Sequence, residues 1–155
     1  MADTAVTISR ARTSQLSLQE QARGFSHKFT VKSADVALGT GSTDTVTVTL
    51  GTLPAKWAIN NALVNISTAF AGTTAFTVVV GTTTTTNSFI TSQSVLTAGV
   101  LAGVPTTATV RTATAAANMV AVFTNATGCS PSALTAGELD IYLNIIDLTT
   151  IEKLG

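Results

Sequence analysis

Side chains that could carry catalysis are few and widely spaced in this chain. His27 is the only histidine and Cys129 the only cysteine. Neither has the sequence neighbours typical of a Ser-His-Asp triad, a Cys-His pair or a zinc site. His27 alternates with Phe25, Phe29 and Val31, which predicts a position on the core face of a strand or at the edge of the sheet. We therefore expect a structural histidine, and a cysteine that serves as a small apolar residue in a reducing compartment.

The carboxylates do not form a recognisable constellation either. Those beyond the N-terminal segment show no calcium-loop spacing; they are Asp35, Asp44, Glu138, Asp140, Asp147 and Glu152. Asp140 alternates with apolar residues, which predicts a solvated or interface charge. A glycosidase pair could still be assembled by the fold, an alternative that the sequence leaves open. No glycine-rich stretch has the lysine and helix of a phosphate loop. We expect a protein without enzymatic activity, cofactor or bound metal.

Charge is scarce and unevenly distributed. Charged residues make up 10% of the 155 residues, the formal net charge is zero and the mean hydropathy is +0.43. Between residues 57 and 137 the only charged residue is Arg111. A soluble monomer is usually covered by interspersed charges. This long uncharged stretch therefore favours a subunit of an assembly over a monomer.

The N-terminal 23 residues differ in composition from the rest. They contain Arg10, Arg12 and Arg23, which we take as candidate contacts to a protein partner, and no apolar run long enough for a signal peptide. Residues 13–23 could form a short helix or part of an extended arm. We expect the whole segment 1–23 to be mobile in the free protein and ordered in the assembly. We expect synthesis in the cytosol and no membrane span, because no stretch of 18 apolar residues occurs in the sequence. We also expect no nucleic-acid binding, since the domain has no basic surface.

A short internal repeat is the most unusual pattern. The segments 86–101 and 124–139 share nine of sixteen residues, including the phrase "LTAG" that ends at Gly99 and Gly137. A solenoid needs about three or more stacked units, so two local copies do not make a repeat protein. We interpret both copies as polar loops that close with a turn glycine, the second leading into a strand.

Elsewhere, alternation with a period of two residues predicts about eight β-strands. The clearest are 25–32, 43–50, 61–70, 75–81 and 139–148, with weaker segments at 89–96, 107–113 and 118–124. Segments 61–70 and 75–81 are expected to pair with each other as a hairpin. Eight short strands separated by turn residues favour an all-β fold, an antiparallel β-sandwich over residues 24–155. An eight-stranded jelly roll is the first choice and an immunoglobulin-like sandwich the second.

The order of several strand and turn phrases resembles the jelly-roll decoration, or cement, proteins of tailed-phage capsids. The phrases are "GFSHKFTVKSADVAL" (24–38), "VTVTLGTLPAKW" (46–57), "ALVNISTAFAGTTAFTVVVGT" (62–82), "FITSQSVLTAGVLAG" (89–103) and "SALTAGELDIYLNIIDL" (132–148). The resemblance implies a non-enzymatic homotrimer on the capsid exterior that contacts the major capsid protein and is assembled in the host cytoplasm. A fibre or neck protein and a carbohydrate-binding sandwich are the alternatives, although exposed aromatic residues for sugar stacking are scarce.

Overall fold

The computed structural model describes residues 6–8, 12–13, 24–38, 45–103, 115–125 and 129–149. Ten β-strands account for most of them: β1 (Val6–Ile8), β2 (Arg12–Thr13), β3 (His27–Lys32), β4 (Thr45–Leu53), β5 (Trp57–Ala71), β6 (Phe76–Thr82), β7 (Ile90–Ser94), β8 (Gly99–Gly103), β9 (Ala117–Asn125) and β10 (Ala136–Asp147). A one-turn helix, α1 (Ser33–Val36), and a 3-10 turn at Pro131–Ala133 complete the described structure. No helix in these ranges is long and apolar enough to cross a bilayer.

The strands form two five-stranded sheets. Sheet A has the order β1-β4-β9-β6-β7, and sheet B has the order β2-β3-β10-β5-β8. Strands β3 to β10 pair as nested antiparallel partners, β3 with β10, β4 with β9, β5 with β8 and β6 with β7. This nesting is the jelly-roll arrangement of two four-stranded sheets. The predicted all-β sandwich is confirmed, with jelly-roll rather than immunoglobulin-like strand order.

The N-terminal segment adds one short strand to each sheet. Strand β1 pairs with β4 in the one parallel pairing among the described strands, and β2 pairs antiparallel with β3. Thr13 therefore lies in a strand, whereas the rest of the predicted helix (14–23) falls outside the described residues. The two short strands lie beside β3 and β4, whose outer edges would otherwise be free to pair with another chain.

Two expectations about strand connections were wrong. The segments expected to form a hairpin became β5 and β6, which lie in opposite sheets and pair with β10 and β9 instead. A strand was also missed at Gly99–Gly103, in a segment interpreted as a loop, while the predicted strand at 107–113 lies outside the described residues. Alternation reports which residues face the core, but it does not report which strand supplies the backbone partner.

The core lies between the two sheets and contains the apolar residues that alternation placed inward. Three aromatic rings meet near its centre, with centroids of Phe76 at 5.6 Å from both Phe70 and Phe123, and Phe70 at 6.1 Å from Phe123. Each such pair adds about 1 kcal/mol beyond area burial. Phe25 was misplaced in the prediction, because its ring packs on Tyr142, outside sheet B, at 5.4 Å between centroids.

The repeated phrase "LTAG" has a structural meaning in this topology. Gly99 begins β8, and Gly137 lies at the start of β10. Both strands flank β5 and run antiparallel to it, with Gly99 opposite Ile66 and Gly137 at a register shift near Thr68. Both glycines also have similar positive φ angles, 153° and 144°. The two copies are thus the same strand entry used on either side of one central strand, and both, rather than only the second, lead into a strand.

Candidate interaction surfaces

Each described carboxylate already has a structural partner. Asp35 Oδ2 accepts a hydrogen bond from the Lys32 backbone N–H at 2.9 Å, and Asp147 Oδ1 accepts bonds from the backbone and hydroxyl of Thr149 at 2.9 and 2.6 Å. The bonds from Thr149 lower the pKa of Asp147 below its ordinary value. Among the described residues, no group of three or more His, Cys, Asp or Glu side chains could hold a metal ion.

Asp140 is buried and paired within its own sheet, unlike the solvated charge that was one of the two alternatives predicted from the sequence. It is 8% exposed, its Oδ1 accepts a bond from Thr30 Oγ1 at 2.6 Å, and its Oδ2 lies 3.3 Å from Lys28 Nζ. Lys28 also lies over the ring of Tyr142, with its Nζ 5.4 Å from the centroid. Burial lowers the pKa of Lys28, but the hydrogen bond with Tyr142 and the charge of Asp140 outweigh this effect and raise it above 10.5. This polar cluster holds β3 against β10 on the outside of sheet B.

Charge is segregated between the two sheets. Within the described strands, every Lys, Arg, Asp and Glu belongs to the neighbouring strands β2, β3 and β10 of sheet B, and the five strands of sheet A carry none. Two ion pairs already bind much of this charge internally, Lys28 to Asp140 and Lys32 to Glu138, each at 3.3 Å. Sheet B therefore has a charged stripe of low net charge, and sheet A has an uncharged outer surface.

We call the outer surface of sheet A the threonine–valine face. Cross-strand register aligns its residues in two rows, which are Thr45, Thr124 and Thr77, and Thr47, Val122 and Val79. In the next row Thr49 is partly exposed, whereas Val120 and Gly81 are buried and do not belong to this face. Val122 and Val79 are partly exposed, and Thr124 is exposed. Such a surface can make hydrogen bonds through hydroxyl groups and apolar contacts through methyl groups, but it cannot attract a partner by net charge.

The three arginines proposed as partner contacts are not all located. Arg12 lies in β2 opposite Thr30, in the register row that also contains Asp140. Arg10 and Arg23 lie outside the described residues. Their role in contacting a partner stays a prediction.

A cleft opens between the sheets where β3 and β5 begin and β4 and β10 end. Its volume is about 330 Å³, and its walls include Phe29, Leu53, Trp57, Met119 and Ile145. We call it the inter-sheet cleft. Sequence analysis missed it, because its residues come from five strands and no local pattern connects them.

His27 stands at the mouth of the inter-sheet cleft. Its ring stacks on Phe29 with 6.4 Å between centroids, and its Nδ1 is 2.8 Å from Ser26 Oγ. Although the side chain is exposed on one side, partial burial lowers the pKa of His27 below 6.5. The imidazole is therefore neutral at pH 7, and His27 is the exposed first residue of β3 rather than a core residue.

Cys129 is more acidic than an ordinary thiol. Hydrogen bonds from Thr74, whose Oγ1 is 3.2 Å from the sulfur, and from Thr73 lower the pKa of Cys129 from 9.0 to about 7. The thiolate is the nucleophilic form of cysteine. Sequence analysis interpreted Cys129 as a small apolar residue and did not predict this acidity.

This acidity gives a direct prediction. The rate of alkylation of Cys129 by iodoacetamide should rise with pH to half its maximum near pH 7, because the thiolate is populated above the lowered pKa. In Thr74→Val the midpoint should move upward, toward 9. Cys129 is the only cysteine, so mass spectrometry of the labelled protein follows one site. A wild-type midpoint near 9 would show that the Thr74 bond does not stabilise the thiolate.

Comparison with known proteins adds little to these surfaces. No protein-family model matches the chain, and no curated protein matches it. Among solved structures, the chain is similar to PliG from Aeromonas hydrophila, a periplasmic inhibitor of g-type lysozyme. The identity is 14% and the TM-score 0.40, over 94% of this chain and 100% of PliG. A likeness this low carries no functional argument.

Proposed function

We propose that this protein is a non-enzymatic structural subunit of a phage virion, a decoration protein that binds the outside of the capsid and bridges neighbouring copies of the major capsid protein. It acts as a homotrimer, is assembled in the host cytoplasm, and binds neither nucleic acid nor membrane. The observation that carries the proposal is the threonine–valine face, backed by five strands without a charged residue. The resemblance of the strand and turn phrases to capsid decoration proteins supplies the identity of the partner.

An uncharged sheet face suits permanent contact with a protein surface. Its hydroxyl groups can exchange hydrogen bonds with water for hydrogen bonds with a partner. Covering its methyl groups removes apolar surface from water, which lowers the free energy of the complex. The charges that would have to be desolvated lie on sheet B instead and are largely paired there. The face therefore avoids the several kcal/mol that burying an unpaired charge costs. Fold alone does not support this proposal, since jelly rolls serve many unrelated functions.

The carbohydrate-binding alternative is weakened by the positions of the aromatic residues. Six of the eight are buried, namely Phe29, Phe70, Phe76, Phe89, Phe123 and Tyr142. Phe25 is partly covered against Tyr142, and Trp57 lines the inter-sheet cleft. Sugar-binding sandwiches usually stack their ligands on exposed rings, and no flat row of such rings occurs among the described residues.

Salt dependence tests the proposal. Light scattering should give the mass of a trimer, about three times 15.8 kDa. The protein should co-sediment with decoration-free capsids equally well from about 0.1 to about 1 M NaCl, because a Debye length of about 3 Å removes attraction between exposed charges and leaves apolar contacts intact. A monomer whose capsid binding collapses as salt rises would overturn the proposal and favour the N-terminal arginines as the contact. A monomer that ignores capsids and is retained on a polysaccharide column would favour the carbohydrate-binding alternative.

A further inference from the structure

We propose that the inter-sheet cleft is a binding site for a small, uncharged molecule with an aromatic or aliphatic body and one hydroxyl group. The cleft opens at the strand ends, apart from the threonine–valine face, so the role proposed for the protein does not account for it. Three properties of the cleft lead to this ligand class: its size, its neutrality and the polar group at its mouth.

The size and walls suit a ring or a short hydrocarbon chain. A volume of about 330 Å³ lies at the lower end of the range of about 300–1,000 Å³ that is typical of small-molecule sites. Sheet A contributes Leu53 and Met119, and sheet B contributes Phe29, Trp57 and Ile145. Thioether and aromatic groups adapt to flat apolar ligands. A ligand that fills the cleft would extend the core of the sandwich to its open end.

The cleft selects against charged ligands. None of its lining residues is a Lys, Arg, Asp or Glu, and its one titratable group, His27, is neutral at pH 7. An ionised ligand would lose its hydration without gaining an ion pair, which is costly. Charge complementarity therefore favours a neutral molecule over a fatty-acid carboxylate, a nucleotide or an amine.

The mouth of the cleft supplies one anchoring group. The Nδ1 atom of His27 is engaged with Ser26 Oγ at 2.8 Å, which leaves Nε2 for a ligand. Ser26 Oγ is held in turn by the backbone N–H of Ile145 at 2.8 Å and the carbonyl of Leu143 at 3.2 Å, so the imidazole is fixed on β10. In a neutral imidazole Nε2 is a donor in one tautomer and an acceptor in the other. A hydroxyl group can both donate and accept, and it satisfies Nε2 in either tautomer.

The chain contains its own reporters for this site. Trp57 is the only tryptophan, and Met119 is one of two methionines, the other being Met1. In protein labelled with ¹³C-methyl methionine and ¹⁵N, phenol should shift the Met119 methyl and Trp57 indole signals saturably at millimolar concentration. Toluene, which has the same ring without the hydroxyl, should do the same more weakly. The Met1 signal should not move.

Two variants and one control separate the parts of the inference. His27→Phe keeps the apolar character of the mouth but removes the hydrogen bond, so the Kd of phenol should rise about fivefold while that of toluene stays unchanged; fivefold corresponds to about 1 kcal/mol, the usual value of one hydrogen bond. Thr52→Phe, at the rim of the cleft, should weaken both ligands. Thr91→Phe, at an exposed position of β7, is the matched control and should change neither.

Three results would overturn the inference. One is the absence of a saturable shift at Met119 and Trp57 with either probe. Another is an equal loss of phenol and toluene affinity in His27→Phe, which would remove the hydroxyl requirement. The third is a Met119 signal that ignores both probes but shifts when capsids are added, which would assign the cleft to a side chain of a protein partner.

Discussion

Replacing Gly137 by alanine should destabilise the protein considerably more than the same replacement at Gly99. Both glycines have a φ angle near 150°, a conformation that side chains rarely adopt, so each substitution carries a backbone cost of about 1–3 kcal/mol. A Cβ at Gly99 would meet no atom within 4 Å, whereas one at Gly137 would overlap the ring of Phe70. Phe70 is 2% exposed and packs in the aromatic cluster of the core, so it has little room to move. Overpacking of this kind adds about 1–3 kcal/mol.

The measurement is urea unfolding of the two variants and the wild type, followed by the fluorescence of Trp57. The free energy of unfolding should fall in both variants, with the loss in Gly137→Ala larger by about 1–3 kcal/mol. Because the two sites share sequence context, strand entry and backbone angle, Gly99→Ala is a control for the backbone cost at an exposed position. A second comparison combines Phe70→Leu with Gly137→Ala in one protein. The smaller side chain makes room for the added methyl group, so the double variant should recover part of the free energy of unfolding that Gly137→Ala loses. Equal losses at the two glycines would contradict the packing described for β10.

A lysine in the middle of the threonine–valine face should strongly weaken binding to the capsid while leaving the protein folded. Val122 is partly exposed in the central strand of that face, between Thr47 and Val79. In the free subunit a lysine at this position can extend its amine into water, so stability should change little. In the capsid complex the same charge would be covered without a partner, at a cost of about 2–5 kcal/mol, and capsid affinity should fall by at least about 30-fold.

The control for Val122→Lys is Asn61→Lys, an exposed position on β5 of sheet B. It adds the same charge to the charged side of the sandwich and should leave capsid binding within about twofold, since surface substitutions usually have small effects. Circular dichroism and urea unfolding verify that both variants fold, and co-sedimentation with decoration-free capsids measures binding. Full binding by Val122→Lys together with loss of binding by Asn61→Lys would move the contact surface from sheet A to sheet B. If neither variant binds less, the outer faces of the sheets are not the contact, and the strand ends and loops become the candidates.

Local patterns were sufficient for much of the fold. In β4 the alternation of Val46 and Val48 with Thr47 and Thr49 identifies both the strand and its buried face, because successive side chains of a strand point to opposite sides. The same reasoning correctly placed Leu139, Ile141 and Leu143 in the core, all of them 0% exposed. Eight such strands in a chain of this length left few arrangements, and the jelly roll was among them.

Local sequence patterns revealed only part of the candidate interaction surfaces. The sequence by itself determined that charge is nearly absent from residues 57–137, since that is a property of composition. Only the tertiary structure decided that the charged residues of the described strands gather on β2, β3 and β10 and that sheet A has none. The partner of Asp140 is an example, because Lys28 lies more than a hundred residues away and becomes a neighbour through the pairing of β3 with β10.

The same division explains the repeat and the cleft. Two copies of "LTAG" were evident from the sequence, but their shared role beside β5 depends on two separate strand pairings. The inter-sheet cleft brings His27, Trp57 and Met119 together from positions that no periodicity relates. Alternation follows from the geometry of a single strand, so neighbouring residues are enough to reveal it. Strand pairing and the cleft between the sheets arise from contacts between distant segments. The free energy of those contacts depends on the packing of the whole sandwich.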